Sequence, residues 1–255
     1  MIFDTHAHYN SEQFDTDRDT LLESMPENGI GLIMNACSNL GEIPEIIAMC
    51  EKYPFMYGAV GIHPEDVEGL DADYLDKLRE YSRHPKIKAI GEIGLDYYWT
   101  TETKAEQQRI LGEQVDLARE LKLPVIIHDR EAHGDCLSIL REHKVWECGG
   151  IFHCYSGSAE MLHEICGEFG MYVAFGGALT FKNAKKPREA AAAVPIDQLL
   201  IETDCPYMAP VPYRGKRNSS LYLPEVIRVM ADVRGMTAEE IESITYENGR
   251  RLFGI

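Results

Sequence analysis

The sequence lacks any apolar run long enough to cross a bilayer. A membrane-spanning helix needs about 20 consecutive apolar residues, and no run of even about 18 occurs in this chain. The first residues also lack the basic segment and the apolar segment that together form an export signal. We therefore expect neither a membrane anchor nor a signal peptide.

Cysteine is present, but not in an arrangement that builds a disulfide framework. The seven cysteines are an odd number, and no two of them are spaced as Cys-x-x-Cys. In a chain without an export signal, this pattern predicts reduced thiols and a cytoplasmic location.

Basic residues are few, since 25 Lys and Arg face 42 Asp and Glu and give a net charge of −17. An acidic surface repels phosphate backbones, which argues against a general nucleic-acid coat protein. The basic residues are nevertheless concentrated in two segments, which contain Lys182, Lys185, Lys186 and Arg188, and Arg214, Lys216 and Arg217. We interpret them as a local positive rim, with solvated loop charges of no special role as the alternative.

Eight short apolar runs, each followed by an amphipathic segment, divide the chain into eight β-then-α units. The predicted strands are Ile2–His6, Gly31–Asn35, Tyr57–Ile62, Ile87–Glu92, Pro124–His128, Gly149–His153, Tyr172–Phe175 and Leu199–Glu202. Helices are predicted at Asp17–Asn28, Gly41–Tyr53, Asp71–Arg83, Thr103–Leu121, His133–Lys144, Ala159–Phe169, Pro187–Val194, Leu223–Arg234 and Ala238–Phe253, the last capped by Thr237. This order predicts an α/β fold, a TIM-type (β/α)8 barrel that forms one domain over residues 1–255.

A doubly wound open sheet is the alternative architecture. It would need a glycine-rich phosphate loop after the first strand, where this sequence has Asp-Thr-His-Ala-His. The barrel is therefore the preferred prediction.

His6 and His8 lie two positions apart on the first predicted strand. Side chains at i and i+2 of a strand point to the same face, so both imidazoles should face the same way. Further residues of ligand type lie at or just past the ends of four other strands, namely Glu92, His128, His153 and Asp204. Because barrel strands converge at their carboxyl ends, we expect all six side chains to meet at one mouth.

Four histidines and two carboxylates suit Mg, Mn, Zn or Co better than an iron–sulfur cluster. Six ligands are too many for one catalytic metal that keeps an open position, so we predict two divalent ions with Glu92 bridging them. His6, His8 and Asp204 are then expected on one ion, and His128 and His153 on the other. The alternative is that these are unrelated polar residues that cap strands. It requires that six ligand-type residues lie at strand ends by coincidence.

Glu202 should share a face with Asp204, because the two carboxylates are two positions apart. We predict Glu92, Asp204 and Glu202 as the catalytic carboxylates, with Glu202 orienting a ligand histidine or relaying a proton. His63 and Arg130, close to strand ends, are candidate phosphate contacts, with a loop hydrogen bond and a structural ion pair as their respective alternatives.

The remaining candidates follow strand ends. The aromatic triplet of Tyr97, Tyr98 and Trp99 is expected either to stack nucleobases or to pack a loop onto the barrel. Arg214 and Lys216 are predicted to contact substrate phosphates. Cys154 and Cys205, each adjacent to a predicted ligand, are expected to face away from the metals and pack against helices.

These residues occur within motifs that extend over nearly the whole chain. The motifs are Ile2-Phe-Asp-Thr-His-Ala-His-Tyr-Asn10, Gly91-Glu-Ile-Gly-Leu-Asp-Tyr97, Pro124-Val-Ile-Ile-His-Asp-Arg130, Phe152-His-Cys-Tyr-Ser-Gly157, Leu200-Ile-Glu-Thr-Asp-Cys-Pro206, Tyr213-Arg-Gly-Lys-Arg-Asn218 and Asn248-Gly-Arg-Arg-Leu-Phe253. With them the sequence resembles the TatD family of metal-dependent deoxyribonucleases, within the amidohydrolase-like barrels.

The resemblance implies a distorted (β/α)8 barrel, divalent metals at the strand ends, and hydrolysis of DNA, often from 3′ to 5′. By position, the family's metal ligands fall on His6, His8, Glu92, His128, His153 and Asp204. One departure is visible: relatives usually have an acidic residue and Pro where this chain has Ser219 and Ser220.

The function expected from these features is a metal-dependent deoxyribonuclease, acting as a 3′ to 5′ exonuclease on single strands through a metal-activated water. Its partner is DNA, with RNA or aminoacyl-tRNA as alternative substrates, and no membrane or obligate protein partner is inferred. The alternative enzyme is an amidohydrolase or aminoacyl-tRNA deacylase on the same barrel. A non-catalytic scaffold is disfavoured, because no predicted ligand is missing.

Overall fold

Eight parallel strands follow one another around a single sheet in chain order, in the computed structural model of residues 1–255. The strands are β1 (Ile2–Ala7), β2 (Ile30–Ala36), β3 (Met56–Val60), β4 (Ile87–Asp96), β5 (Val125–Arg130), β6 (Gly150–Phe152), β7 (Tyr172–Phe175) and β8 (Leu199–Ile201). Each strand pairs in parallel with the next. All eight predicted strands are present, with ends that differ by a few residues.

The sheet is nearly closed into a barrel where the segment after β8 runs beside β1. The amide of Asp204 donates to the carbonyl of His6 at 3.0 Å, and the amide of His8 donates to the carbonyl of Cys205 at 2.8 Å. The backbone therefore fixes His6 and His8, at the end of β1, beside Asp204 from the segment after β8.

A buried carboxylate reinforces this seam. Asp4 of β1 accepts hydrogen bonds from the amide of Thr203 at 2.9 Å and from the hydroxyl of Ser220 at 2.6 Å. The Ser220 hydroxyl also lies 2.8 Å from the hydroxyl of buried Tyr9. Ser220 thus takes part in holding the first strand to the segment after β8.

Helices cover the outside of the sheet. They are α1 (Arg18–Glu23), α2 (Ile43–Lys52), α3 (Tyr74–Tyr81), α4 (Lys104–Leu121), α5 (His133–Glu142), α6 (Lys185–Ala193), α7 (Leu223–Arg234) and α8 (Ala238–Phe253). The bounds predicted for α7 and α8 are confirmed, and Thr237 caps α8 through reciprocal hydrogen bonds with Glu240. No helix combines the length and apolar composition that a bilayer crossing requires.

Two predicted helices differ from the structure. The helix predicted at Asp17–Asn28 ends at Glu23, and a short 3-10 turn begins at Pro26, whose ring cannot continue an α-helix. The helix predicted at Ala159–Phe169 is a π-helix over His163–Glu168, in which the amide of Phe169 reaches the carbonyl of Glu164.

The hydrophobic core is divided by the sheet. The larger cluster fills the space between the strands and the surrounding helices. A smaller cluster fills the barrel interior with one or more residues from every strand, and it ends on Phe253 of α8, whose ring lies 5.8 Å from that of Phe3. With this end of the barrel packed by apolar side chains, polar groups are collected at the opposite mouth.

Candidate metal centre

β1 brings two imidazoles together at the mouth. The strand register shifts between Asp4 and Ala7, and Nε2 of His6 lies 2.9 Å from Nε2 of His8. Nδ1 of His8 lies 3.0 Å from the carbonyl oxygen of Ala36, so this nitrogen carries the proton that it donates there. Nε2 of His8 therefore faces the centre.

Glu92, from β4, is buried in the middle of the histidines, and its two oxygens face different pairs. Oε1 lies 2.7 Å from His153 Nε2 and 2.8 Å from His128 Nδ1. Oε2 lies 3.2 Å from His6 Nε2 and 3.3 Å from His8 Nε2. One carboxylate thus joins ligand-type residues from the ends of three other strands, β1, β5 and β6.

Asp204 completes the centre from the segment after β8. Its Oδ1 lies 3.5 Å from His8 Nε2 and 3.8 Å from His6 Nε2. Its backbone has φ 55°, a left-handed conformation that is uncommon outside glycine and frequent at functional sites. The strained backbone turns the carboxylate toward β1.

All six predicted metal ligands are therefore brought together. Together with His63, they form three overlapping groups of donor atoms, each compact enough to surround one cation: His6, His153 and Asp204; His6, His8 and Glu92; and His63, Glu92 and His128. His63, predicted as a phosphate contact, has its Nε2 3.5 Å from Glu92 Oε1 and its ring edge-on to that of His128.

The charges at this centre fit divalent cations. Burial alone would raise the pKa of Glu92, but the surrounding histidines, His153 and His6 foremost, hold that pKa well below its usual range. Burial would lower the pKa of His8, but hydrogen bonds with Asp204 and Glu92 raise it to about 10. Ionised carboxylates buried this deeply require positive charge beside them, and imidazole and carboxylate donors are ligands for Zn or Mn.

Asp96, at the end of β4, is a contact of a predicted metal ligand that the sequence analysis missed. Its Oδ2 lies 2.9 Å from His128 Nε2, which fixes that nitrogen as the donor and leaves Nδ1 facing Glu92. Burial would lower the pKa of His128, but hydrogen bonds with Asp96 and Glu92 raise it to about 9. Its place in the same motif as Glu92, four residues further along the strand, was the available signal.

Glu202 lies behind His153. Its Oε1 is 3.6 Å from His153 Nδ1 and accepts a hydrogen bond from the amide of Cys154. Glu202 is fully buried, and burial raises the pKa of its carboxyl. This position allows Glu202 to orient a ligand histidine.

The two cysteines beside the ligands differ. Cys205 is fully buried in the outer core, as expected. Cys154 is only half-buried, and burial together with the nearby carboxylates of Asp204 and Glu202 raises the pKa of its thiol well above the usual range. β6 ends at Phe152 and Cys154 has φ 42°, so strand alternation does not decide where its side chain points, and the expectation that Cys154 packs against a helix stays a prediction.

Above the centre lies a cavity of about 700 Å³. Its rim is acidic on one side, where it is lined by Glu12, Glu42, Glu65 and Asp66. Arg130 is the single Lys or Arg among its lining residues, and Trp99, Tyr207 and Met208 are its only hydrophobic ones.

The expected positive rim is therefore not found around this cavity. Arg217 forms a two-pronged ion pair with Asp17, both contacts at 2.7 Å, and the Arg188 side chain donates to backbone carbonyls. The guanidinium of Arg214 lies 4.3 Å from the ring centre of Phe181, and Lys216 lies 5.8 Å from that of Tyr213. Lys182, Lys185 and Arg188 line a separate surface pocket instead of this cavity, and the roles of Arg214 and Lys216 stay predictions.

The aromatic triplet is divided between two roles. Tyr97 packs its loop, since its hydroxyl donates to Asp135 at 3.0 Å and accepts from Gln108 at 2.9 Å. Tyr98 and Trp99 are exposed at the mouth.

Comparison with known proteins places these observations in a family. The family model described as TatD related DNase matches residues 3–254. The chain is 45% identical over its full length to the uncharacterized metal-dependent hydrolase YabD of Bacillus subtilis, and covers all of that protein. It is 35% identical to the uncharacterized metal-dependent hydrolase YcfH of Escherichia coli K12, covering all of this chain and 96% of YcfH. The crystal structure of YjjV, a TatD homologue from Escherichia coli K12, superposes with a TM-score of 0.92 at 30% identity, covering all of this chain and 98% of YjjV.

Proposed function

The chain belongs to the TatD family of metal-dependent hydrolases, and we propose that it is a deoxyribonuclease that removes nucleotides from the 3′ ends of single-stranded DNA. The observation that carries this proposal is the buried Glu92 carboxylate, with His128 and His153 at one oxygen and His6 and His8 at the other. Such an arrangement suits a pair of divalent ions acting on a phosphoryl centre.

We assign one ion to His6, His8 and Asp204 and the other to His128 and His153, with Glu92 shared between them. Mn and Zn suit the four imidazoles best, and Mg is the further candidate. When bound, the ions would lower the pKa of a water molecule and offset negative charge on the phosphoryl group.

In this proposal, side chains of the protein accept a proton, orient the ligand histidines and contact the substrate. Asp204 accepts a proton from the attacking water, while Asp96 and Glu202 hold His128 and His153 in the orientation that binding requires. Arg130, whose guanidinium is paired with no carboxylate in the structure, contacts a substrate phosphate. His63 reaches the same phosphoryl group from β3, and Arg214 and Lys216 contact the strand farther out.

A second candidate function is favoured by the acidic half of the rim. Glu12, Glu42, Glu65 and Asp66 would attract the ammonium group of an aminoacyl ester and repel a polyanion. An aminoacyl-tRNA deacylase or an amidohydrolase is therefore the alternative. The phosphodiesterase is preferred because Glu92 occupies the fourth-strand position at which many metal amidohydrolases carry a modified lysine. All seven cysteines are free, which supports a cytoplasmic location.

The test is hydrolysis of a 3′-labelled single-stranded DNA by metal-stripped protein, with Mg, Mn or Zn added back. Glu92→Gln and Asp204→Asn should each lower the rate more than about a hundredfold and lower the bound metal, whereas the exposed Asp232→Asn should change neither. If the metal-loaded wild type leaves the DNA intact but hydrolyses an aminoacyl ester, the second candidate replaces the first.

A further inference from the structure

Large apolar side chains are exposed mainly at the mouth of the cavity. Seven such side chains are exposed in the structure, and the five that belong to the two loops after β4 and β8 are Tyr98, Trp99, Tyr207, Met208 and Val211. Trp99, Tyr207 and Met208 face the cavity itself. Exposed aromatic groups around an open site favour an aromatic or apolar ligand there.

Trp99 belongs to a built arrangement of rings and charge. Its ring meets that of Tyr98 edge to face at 4.8 Å. The guanidinium carbon of Arg130 lies 4.0 Å from the ring centre of Tyr98 and 5.4 Å from that of Trp99. Arg130 forms no ion pair, so its charge is available to an incoming anion. We call Tyr98, Trp99 and Arg130 the aromatic platform.

The aromatic platform is tied to the candidate metal centre through Asp96. Oδ1 of Asp96 accepts hydrogen bonds from the amides of Tyr98 at 2.9 Å and Trp99 at 3.1 Å. Its other oxygen contacts His128. The platform therefore has a fixed position relative to the atoms that would bind metal.

From this geometry we propose that the aromatic platform binds the base of an unpaired nucleotide whose phosphate lies at the metal centre. The inference rests on the proposed function and adds how the substrate is recognised. Any of the four bases can stack on Trp99, because each has a planar face. Arg130 can contact the phosphate of the same nucleotide. Tyr207 and Met208 face the base from the loop after β8.

Two features restrict the occupant to an unpaired end. A cavity of about 700 Å³ has the size of a small-molecule site and admits a nucleotide or two, whereas a double helix does not enter it. The acidic side of the rim, with Glu65 and Asp66, repels further phosphates, so the rest of the strand leaves over Arg130.

Binding can be measured without hydrolysis, because Trp99 is one of only two tryptophans and Trp146 lies before β6, away from the cavity lining. Trp146→Phe leaves Trp99 as the only tryptophan reporter. We expect a phosphorothioate-linked thymidine tetramer to quench its fluorescence, and a tetramer with an abasic 3′ nucleotide to bind at least about fivefold more weakly. Equal affinity for the two tetramers, or an unchanged spectrum, would overturn the proposal.

Kinetics provide the second measurement. Trp99→Ala should raise KM for single-stranded DNA about tenfold and change kcat less than about twofold, because stacking holds substrate and transition state equally. Trp99→Phe should restore most of the affinity. Wild type should prefer a normal 3′ nucleotide to an abasic one, and Trp99→Ala should lose this preference.

The outcomes separate this inference from the proposed function. If DNA is cleaved but normal and abasic ends react alike, base recognition is wrong while the nuclease stands. If base-dependent quenching occurs without cleavage, the aromatic platform is supported and the proposed reaction is wrong.

Discussion

At the scale of single residues, Asp96 links two parts of the site. Its two oxygens hold the imidazole of His128 and the backbone turn that carries Tyr98 and Trp99. A carboxylate that accepts from a ligand histidine fixes the tautomer and makes the other ring nitrogen a better ligand. Asp96 thus acts through His128 and through the turn, without being a ligand itself.

Asp96→Asn should weaken metal binding by about tenfold to a hundredfold, because an amide NH2 facing His128 Nε2 favours the wrong tautomer. The amide oxygen can still accept from the turn, so the fold should be retained. Calorimetric titration of stripped protein with Mn or Zn measures the effect, and Asp232→Asn is the control. An unchanged affinity for Asp96→Asn would mean that His128 does not depend on this contact.

At the scale of secondary-structure elements, the close approach of β4 to β5 sets the centre. Gly94 has φ 156°, and a Cβ built there would lie 1.8 Å from the carbonyl oxygen of His128. Only glycine lets the two backbones meet at this point. The approach places His128 within reach of both Glu92 and Asp96.

Gly94→Ala should therefore lower the free energy of unfolding by at least about 2 kcal/mol and reduce metal binding, because β5 must move away from β4. Gly134→Ala in α5 is the matched control, since a Cβ there meets no atom within 4 Å and helix propensity should add about 0.5 kcal/mol. Urea unfolding of both variants measures the difference. Similar stabilities would show that the strands can adapt to the extra methyl group.

At the scale of the whole molecule, the candidate centre joins elements that are far apart in the chain. Its ligands come from β1, β4, β5, the end of β6 and the segment after β8. In the metal-free protein, protonated histidines supply the positive charge beside Glu92 and Asp204. Binding of divalent ions must displace those protons, so metal uptake, protonation and folding are linked.

The stability of the metal-free protein should fall between about pH 6.5 and pH 10. Burial would lower the pKa values of His8 and His128, but their carboxylate partners raise them to about 10 and about 9, above the usual value for histidine. Their contribution is fully present below pH 6.5 and is lost as the pH rises through the folded-state pKa values. Thermal unfolding of stripped protein at several pH values measures this.

Metal add-back is the companion measurement. An ion at a hundred times its Kd should add about 2.7 kcal/mol, which corresponds to about 5 to 10 °C in Tm for a domain of this size. At one fixed metal concentration the gain should be larger at pH 8.5 than at pH 6.5, because displacing the protons costs less free energy when the proton concentration is lower. A gain that is the same at both pH values would contradict the linkage.

The order of strands and helices, and the set of residues that could meet, can be inferred from local sequence patterns. Strand and helix periodicities are local, so the eight β-then-α units, the same-face placement of His6 and His8, and the capping of α8 by Thr237 followed from short segments. The barrel topology then required the strand ends to converge, which assigned the six candidate ligands to one place.

The directions of the long or flexible polar side chains, in contrast, depend on the packing of the whole fold. Arg214 stacks on Phe181, Arg217 pairs with Asp17, and Asp96 divides its oxygens between His128 and a turn. Phe181, Asp17 and His128 are all distant in sequence from the side chains that contact them, so no local pattern specifies these contacts. The cavity therefore has an acidic rim instead of the positive one that clustering of Lys and Arg suggested, because the contacts of a side chain depend on what the fold packs beside it.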